Sequence, residues 1–437
     1  MRKIKKPIAF LLVLAVLTLF SGYNGRVKIR DRVIIQGMAL DTENDAYSLT
    51  VQTYKPSSLQ EPKNEYELHT ASGSTVYEAL QSINSITGQQ AFFSNLQVIV
   101  ISQSVADKGL SPVLDFFARY SEIRKNVTVV ASACKAAELL TIDSESGILP
   151  AERINKIMSY GTDTSNYDGS KLLDITERYL SDTTDAFLPL LDVNENDSER
   201  TVKICGVLCF SGNEPSGIMS PADSVGFNWI AGYDSRQSLI VDSDSGRFTL
   251  SVQGVSCKIS ARESASSDGA AYSSANRCLS DSGLSYFANH PLSTVSSRCF
   301  GHSVPLCPAA VFLSDSAAVF SSDSNTLADT VPEIDIDLRL KFNVTEINSK
   351  KDVISEKDIL DITPLLSEKV KERAEQSVNR AFYQLDSDIF EFGKYVRRDC
   401  PKLYQSEKYK KLEKSDWKIN IDARAEIYRV GKTNRTV

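Results

Sequence analysis

Histidine is scarce in this chain: His69, His290 and His302 are the three in 437 residues. None sits in the Ser/His/Asp or Cys/His setting that an activated nucleophile requires. GxSxG, HExxH, Walker and GxGxxG patterns are absent too, so the common hydrolytic, phosphoryl-transfer and dinucleotide signatures are excluded. Long apolar runs are lacking beyond Ile8 to Phe20. That run is itself shorter than the roughly 20 residues of a relaxed bilayer-spanning helix. Positive charge is in deficit: removing the four cations Arg2, Lys3, Lys5 and Lys6 takes the formal charge from -7 to about -11. An average so acidic argues against nucleic acid and anionic lipid and favours protein or small-molecule partners.

The same four cations followed by Ile8 to Phe20 form a secretory leader, so the rest is expected outside the cytoplasm and soluble. Export permits disulfides among the eight cysteines. Cys205 and Cys209, four apart in the strand-like run Val202 to Phe210, are expected on one face and about 13 Å apart, too far to pair. Cys134 and Cys400 read as isolated thiols. Cys278, Cys299, His302 and Cys307 could supply a tetrahedral zinc set, but the spacing matches no common finger and disulfides are the usual fate of exported thiols. No metal, cofactor or catalytic residue is assigned.

Alternating β and α elements make the first unit an α/β or α+β layer, and the expected class is α+β in three domains, each a mainly antiparallel sheet with packed helices. Residues 1–22 are the leader or anchor. Residues 23–200 form an N-terminal α+β domain with a hairpin (Val33 to Leu40, Tyr47 to Tyr54). They also hold a helix opened by a Thr75/Glu78 capping box and closed by Gly88, and strands at Val98 to Ile101 and Val127 to Ala131. Residues 201–261 are β-rich and include Phe227 to Ile230. Residues 262–330 are a Ser-rich insertion. Residues 331–437 read as strand, long helix, strand. Alternation from Ile334 to Val344 and from Trp417 to Ile427 marks two strands of one sheet. Thr363-Pro364 opens a helix whose Leu366, Val370, Ala374, Val378 and Phe382 cross it. Asp386 and Asp388 read as a solvated helix end. Phe390, Phe392, Tyr395, Tyr404, Tyr409 and Trp417 read as packing against the last sheet.

The most specific segment is Leu385-Asp386-Ser387-Asp388-Ile389-Phe390-Glu391-Phe392-Gly393, continuing through Arg397-Arg398-Asp399-Cys400-Pro401 to Ser415-Asp416-Trp417. With a preceding strand ending at Glu346 and a long helix, it resembles the Ger(x)C family, the C subunits of spore germinant receptors. Phe93 to Ile101, Phe116-Phe117-Ala118-Arg119, Gly206 to Phe210 and Gly226 to Ile230 are similar to the family's earlier segments. The resemblance implies a non-enzymatic, exported three-domain subunit on the outer face of the cytoplasmic (spore inner) membrane, assembled with polytopic A- and B-type subunits. It makes Glu346, Asp388, Phe390, Gly393 and Trp417 structural motif residues. Two departures stand out: Tyr23 follows Phe20-Ser21-Gly22 where the family has its lipidated cysteine, and residues 262–330 have no counterpart. The competing reading is a free-standing exported solute- or cell-wall-binding protein; an exported hydrolase is a third.

Overall fold

A computed structural model describes residues 31–55, 65–142, 147–160, 170–196, 199–233, 237–244, 246–265, 330–348 and 356–430. The leader, Tyr23, His290 and the Cys278, Cys299, His302 and Cys307 group lie outside the described residues, as does nearly all of the Ser-rich stretch. The chain divides into two compact units, Met1–Glu263 with Pro332–Val437, and Ser264–Val331. Both sheets have the bulk of their strands in the first.

The larger sheet has nine strands: β1 (Arg32–Glu43), β2 (Ala46–Lys55), β3 (Glu65–Gly73), β4 (Gln90–Phe92), β5 (Val98–Ser102), β6 (Thr128–Ser132), β7 (Phe187–Asn196), β8 (Glu199–Ser211) and β9 (Glu214–Met219). Their order is β3-β2-β1-β5-β6-β7-β8-β9, with β4 also beside β1. Long antiparallel hairpins flank a parallel centre, β1-β5-β6-β7. The β1-β2 turn is tight because Asn44 and Asp45 both take left-handed φ, 48° and 63°, the conformation a two-residue hairpin needs. Every residue of β5 and β6 is buried, as expected of parallel strands covered on both faces.

Alternation along β5 sends Ile99 and Ile101 into one core and Val98 and Val100 into the other. The first core is roofed by α1 (Val76–Thr87), α2 (Gln103–Ala106), α3 (Ser111–Arg119) and α6 (Leu172–Tyr179). The second receives α4 (Ala136–Leu139), α5 (Pro150–Tyr160) and the C-terminal elements. α1 starts where the sequence places it: Thr75 Oγ1 accepts from the Glu78 N–H at 3.1 Å, and Gly88 closes it at φ 64°. The Glu78 carboxylate turns to Ser74, accepting from its N–H at 2.8 Å and its Oγ at 2.5 Å, which holds Glu78 below the usual carboxylate range.

Asn196 and Glu199 face each other across the β7-β8 hairpin, so the expected boundary at residue 200 falls inside one continuous hairpin. The same hairpin corrects the cysteine reading. Its register slips between Leu190 and Leu191, where Gly206 adopts φ 144°. One extra residue reverses the parity of everything beyond it. Cys205 therefore packs beside the first core while Cys209 is buried in the second.

The smaller sheet, β10-β11-β12-β13, consists of β10 (Ser238–Ser243), β11 (Gly246–Ala265), β12 (Thr330–Asn348) and β13 (Lys418–Val430). β12 and β13 run parallel with Ile334 opposite Ile419 and Phe342 opposite Ile427. Leu366, Val370, Ala374, Val378 and Phe382 are all buried, and each such aliphatic or aromatic side chain contributes about 1.5–3 kcal/mol. They lie on α8 (Glu356–Val378) and on the π-helical turn Asn379–Gln384 that continues it. Strict four-residue spacing drifts around a 3.6-residue helix, and the wider π turn returns Phe382 to the core side. Helix α8 also serves both outer strands: Ser367 Oγ accepts the Ala425 N–H of β13 at 3.0 Å, and Lys369 Nζ donates to Ile240 O of β10 at 2.7 Å. Capping exposed edges this way blocks further strand addition.

Two local readings are overturned. α8 begins at Glu356, so Thr363-Pro364 lies inside it. The carbonyl deprived by Pro364 belongs to Leu360, 72% exposed, where water can replace the missing donor. Phe227 to Ile230 is not strand but part of α7 (Val225–Ile230). Gly226 allows this: a Cβ there would sit 2.4 Å from Arg373 O and 2.5 Å from Ala374 Cα of α8. The helix is drawn in by backbone contact that no local pattern encodes.

Candidate functional site

The turn Leu385 to Gly393 is the most densely bonded part of the C-terminal region. Asp386 and Glu391 both adopt left-handed φ, 48° and 64°, uncommon for residues with a Cβ. Between them Asp388 is buried rather than solvated. Its Oδ1 accepts the Phe392 N–H at 2.9 Å and its Oδ2 the Gly393 N–H at 2.8 Å, satisfying the first turn of α9 (Phe392–Asp399). Burial pushes the Asp388 carboxyl up to about 7; the two N–H groups and Lys414 act against this, and neighbouring Asp185 adds to it.

This turn docks into the larger sheet. The Asp388 N–H donates to Asp185 Oδ2 at 2.7 Å, and Asp388 O accepts from the Asp185 N–H and Thr184 Oγ1, both at 3.0 Å. Ser387 Oγ donates to Phe210 O of β8 at 2.5 Å. Lys414 Nζ closes the network, 3.0 Å from Asp185 Oδ2 and 2.5 Å from Asp386 O. Gly393 is required by contact: its Cβ would lie 2.6 Å from Thr183 O. Phe390 and Phe392 stack at 5.0 Å with 9° between planes. Phe390 also meets Phe227, which meets Phe187 of β7; Phe392 meets Phe382, which meets Trp417. The motif residues Asp388, Phe390, Gly393 and Trp417 thus converge on one joint. Glu346 does not join them; it is exposed near the end of β12. Asp185 and Lys414 escape sequence reading, being 203 and 229 residues from their partners.

Beside the joint lies a cleft of about 390 Å³ between α6, Tyr233 and α9. Arg178 forms its inner wall, 4.5 Å above the Phe187 ring, donating to Tyr233 Oη at 2.8 Å. Glu391, held in its left-handed conformation, reaches Arg178 at 3.7 Å and Lys394 at 2.8 Å. On the outer rim Arg397 and Tyr404 share Asp182, at 3.3 and 2.6 Å. Burial pushes the Tyr233 hydroxyl up, with Arg178 opposing. The lining contains neither His nor Cys. Burial pushes the thiols of Cys205 up to about 11 and of Cys209 and Cys257 up to about 12, so they stay protonated and unreactive near neutral pH. The arrangement offers charge-assisted hydrogen bonds and a rigid joint, which suit recognition and assembly.

Two family models match the chain: Spore germination protein N-terminal domain over residues 25–193, and Spore germination B3/GerAC like, C-terminal, over residues 319–431. The chain is 21% identical over 212 residues to Putative spore germination protein YfkR of Bacillus subtilis (strain 168), covering 46% of this chain and 54% of that protein. It is 23% identical over 206 residues to Spore germination protein B3 of the same organism, covering 45% and 54%. The chain thus spans about half the length of the curated relatives it matches. The GerBC protein crystal structure aligns over 90% of this chain and 96% of that one, at 14% identity and a TM-score of 0.46.

Proposed function

We propose a function on one premise: this chain belongs to the Ger(x)C family of spore germination proteins. Membership indicates the germinant-receptor C-subunit class, associated with membranes. On our reading the chain is a non-enzymatic subunit that is exported, sits on the outer face of the spore inner membrane, and assembles with polytopic A- and B-type receptor subunits. It acts through interfaces, biasing a complex between states. Its proposed divisions are a leader or anchor at 1–22, segments 23–200 and 201–261 linked by the β7-β8 hairpin, the insertion 262–330 and the segment 331–437.

One observation carries this reading: Asp388 and Gly393 of the C-terminal match pack on Thr183 to Asp185 of the N-terminal match, and Phe390 reaches Phe187 through Phe227. A residue set spent on joining two matched regions supports a mechanical role for the motif, in keeping with a subunit that transmits rather than catalyses. Glu346, exposed and outside the joint, is assigned to an outward contact. The test is to tag the chain in its host, solubilise spore membranes gently and identify what co-purifies by mass spectrometry. Two polytopic receptor-like proteins are expected. Recovery alone in a soluble fraction would overturn assembly and favour a free-standing binding protein.

A further inference from the structure

From Glu391 to Lys418 the chain carries nine Lys and Arg against five Asp and Glu, in a protein of formal charge -7. The central part of this stretch folds into a small knob. α10 (Pro401–Tyr404) is followed by the 3-10 turn Tyr409–Lys411. The Gln405 N–H donates to Pro401 O at 3.1 Å, the Tyr404 and Tyr409 rings meet at 5.1 Å, and Leu403 anchors the knob in the core. Lys402, Lys410 and Lys411 point to solvent. Among the described residues Lys402 and Lys411 have no acidic partner, while Lys410 reaches only Glu407 at 2.8 Å. α9 adds the exposed Arg397, tied to the knob through the Asp182 that it shares with Tyr404.

We propose that this knob is a docking surface for anionic phospholipid headgroups. Clustered solvent-facing lysines attract such headgroups because the cations reach phosphate, while Tyr404 and Tyr409 stay packed on the core and brace the knob. The chain average, strongly acidic, argued against lipid; Lys402, Lys410 and Lys411 are exposed within one short folded segment, and the average does not see that local excess. The proposal deepens the membrane-associated reading above by stating which side faces the bilayer.

The test uses the full chain, Lys402→Glu/Lys410→Glu/Lys411→Glu, and a control with the same charge change elsewhere, Lys341→Glu/Lys371→Glu/Arg424→Glu. Each is mixed with vesicles of phosphatidylcholine with or without phosphatidylglycerol and floated. All three carry the same leader, so its contribution is common. At about fivefold per cation removed, and more where the charge is reversed, the knob variant should bind phosphatidylglycerol vesicles at least about a hundredfold less than the parent, and the control should bind within about threefold of it. The milder Lys402→Gln/Lys411→Gln should lose about 25-fold, which guards against misfolding of the triple variant. Equal losses in knob and control, no loss in the knob variants, or parent binding that ignores phosphatidylglycerol would overturn the proposal. Retention of duplex DNA without retention of vesicles would overturn it in favour of another polyanion. The vesicles contain no receptor subunits, so this outcome is separate from that of the co-purification.

Discussion

Asp388→Asn isolates the one buried carboxyl in the joint. In the folded chain this group titrates up at about 7, against an unfolded value of about 3.9. A folded value raised above the unfolded one means that the native state holds its proton longer. The associated stability is fully present below the unfolded value and is lost as pH rises through the folded one. The linkage relation gives a loss on the order of 2–3 kcal/mol between pH 5 and pH 8 for the parent chain. Asparagine keeps the shape and one acceptor but does not titrate. The stability difference, parent minus Asp388→Asn, should therefore fall by a similar amount over that range, whatever its value at pH 5. Urea unfolding followed by fluorescence reads this directly, since Trp417 lies in the aromatic cluster and Trp229 in α7. The slope of free energy against urea should stay constant. A difference that is flat or grows with pH would refute the argument and mean that the two N–H groups and Lys414 outweigh burial.

Three further outcomes are expected. Gly393→Ala forces a Cβ to within 2.6 Å of Thr183 O, so it should destabilise the joint by about 2–3 kcal/mol and speed amide exchange in α9; exchange unchanged from the parent would count against the docking geometry. β11 and β12 are adjacent in the smaller sheet and joined at its neck by Arg262, which meets Glu333 and Asp335 at 2.7 Å each. Replacing residues 266–329 with a short Gly/Ser linker should leave the urea midpoint of the remaining chain within about 0.5 M of the parent, because longer loops add little closure entropy; collapse of the cooperative transition would contradict this. Tyr23→Cys should create a lipidation site after Phe20-Ser21-Gly22, detected as added lipid mass and a shift into membranes in the native host, and a mature protein without either would contradict it.

Much of the fold is legible because it is set by neighbours in sequence. The Thr75 cap, the Gly88 stop, the Asn44-Asp45 turn and the alternation in β12 and β13 each depend on residues within a few positions of one another. The aromatic residues from Phe390 to Trp417 read as packing against the last sheet, and Phe390, Phe392 and Trp417 do pack in the core. What failed was decided at a distance. Phe227 to Ile230 read as part of a β-rich unit until the α8 backbone presses on Gly226 and the run becomes α7. The Cys205 and Cys209 faces separate because Leu190 and Leu191 shift the register of the partner strand.

The sequence by itself carried the resemblance to the family in the segment Leu385 to Gly393, and its hydrophobic period and turn chemistry, which are short-range codes, marked the alternation of the two strands that pair in the smaller sheet. Only the tertiary structure decided what those residues do. Asp388 is a buried cap rather than a solvated end because Asp185 and Lys414, more than 200 and about 25 residues away along the chain, surround it after folding. Lys402, Lys410 and Lys411 are exposed because Leu403 and the Tyr404–Tyr409 ring contact bury the other side of the same short segment. Burial and electrostatics depend on who is nearby in space, and that neighbourhood is written in no window of the chain.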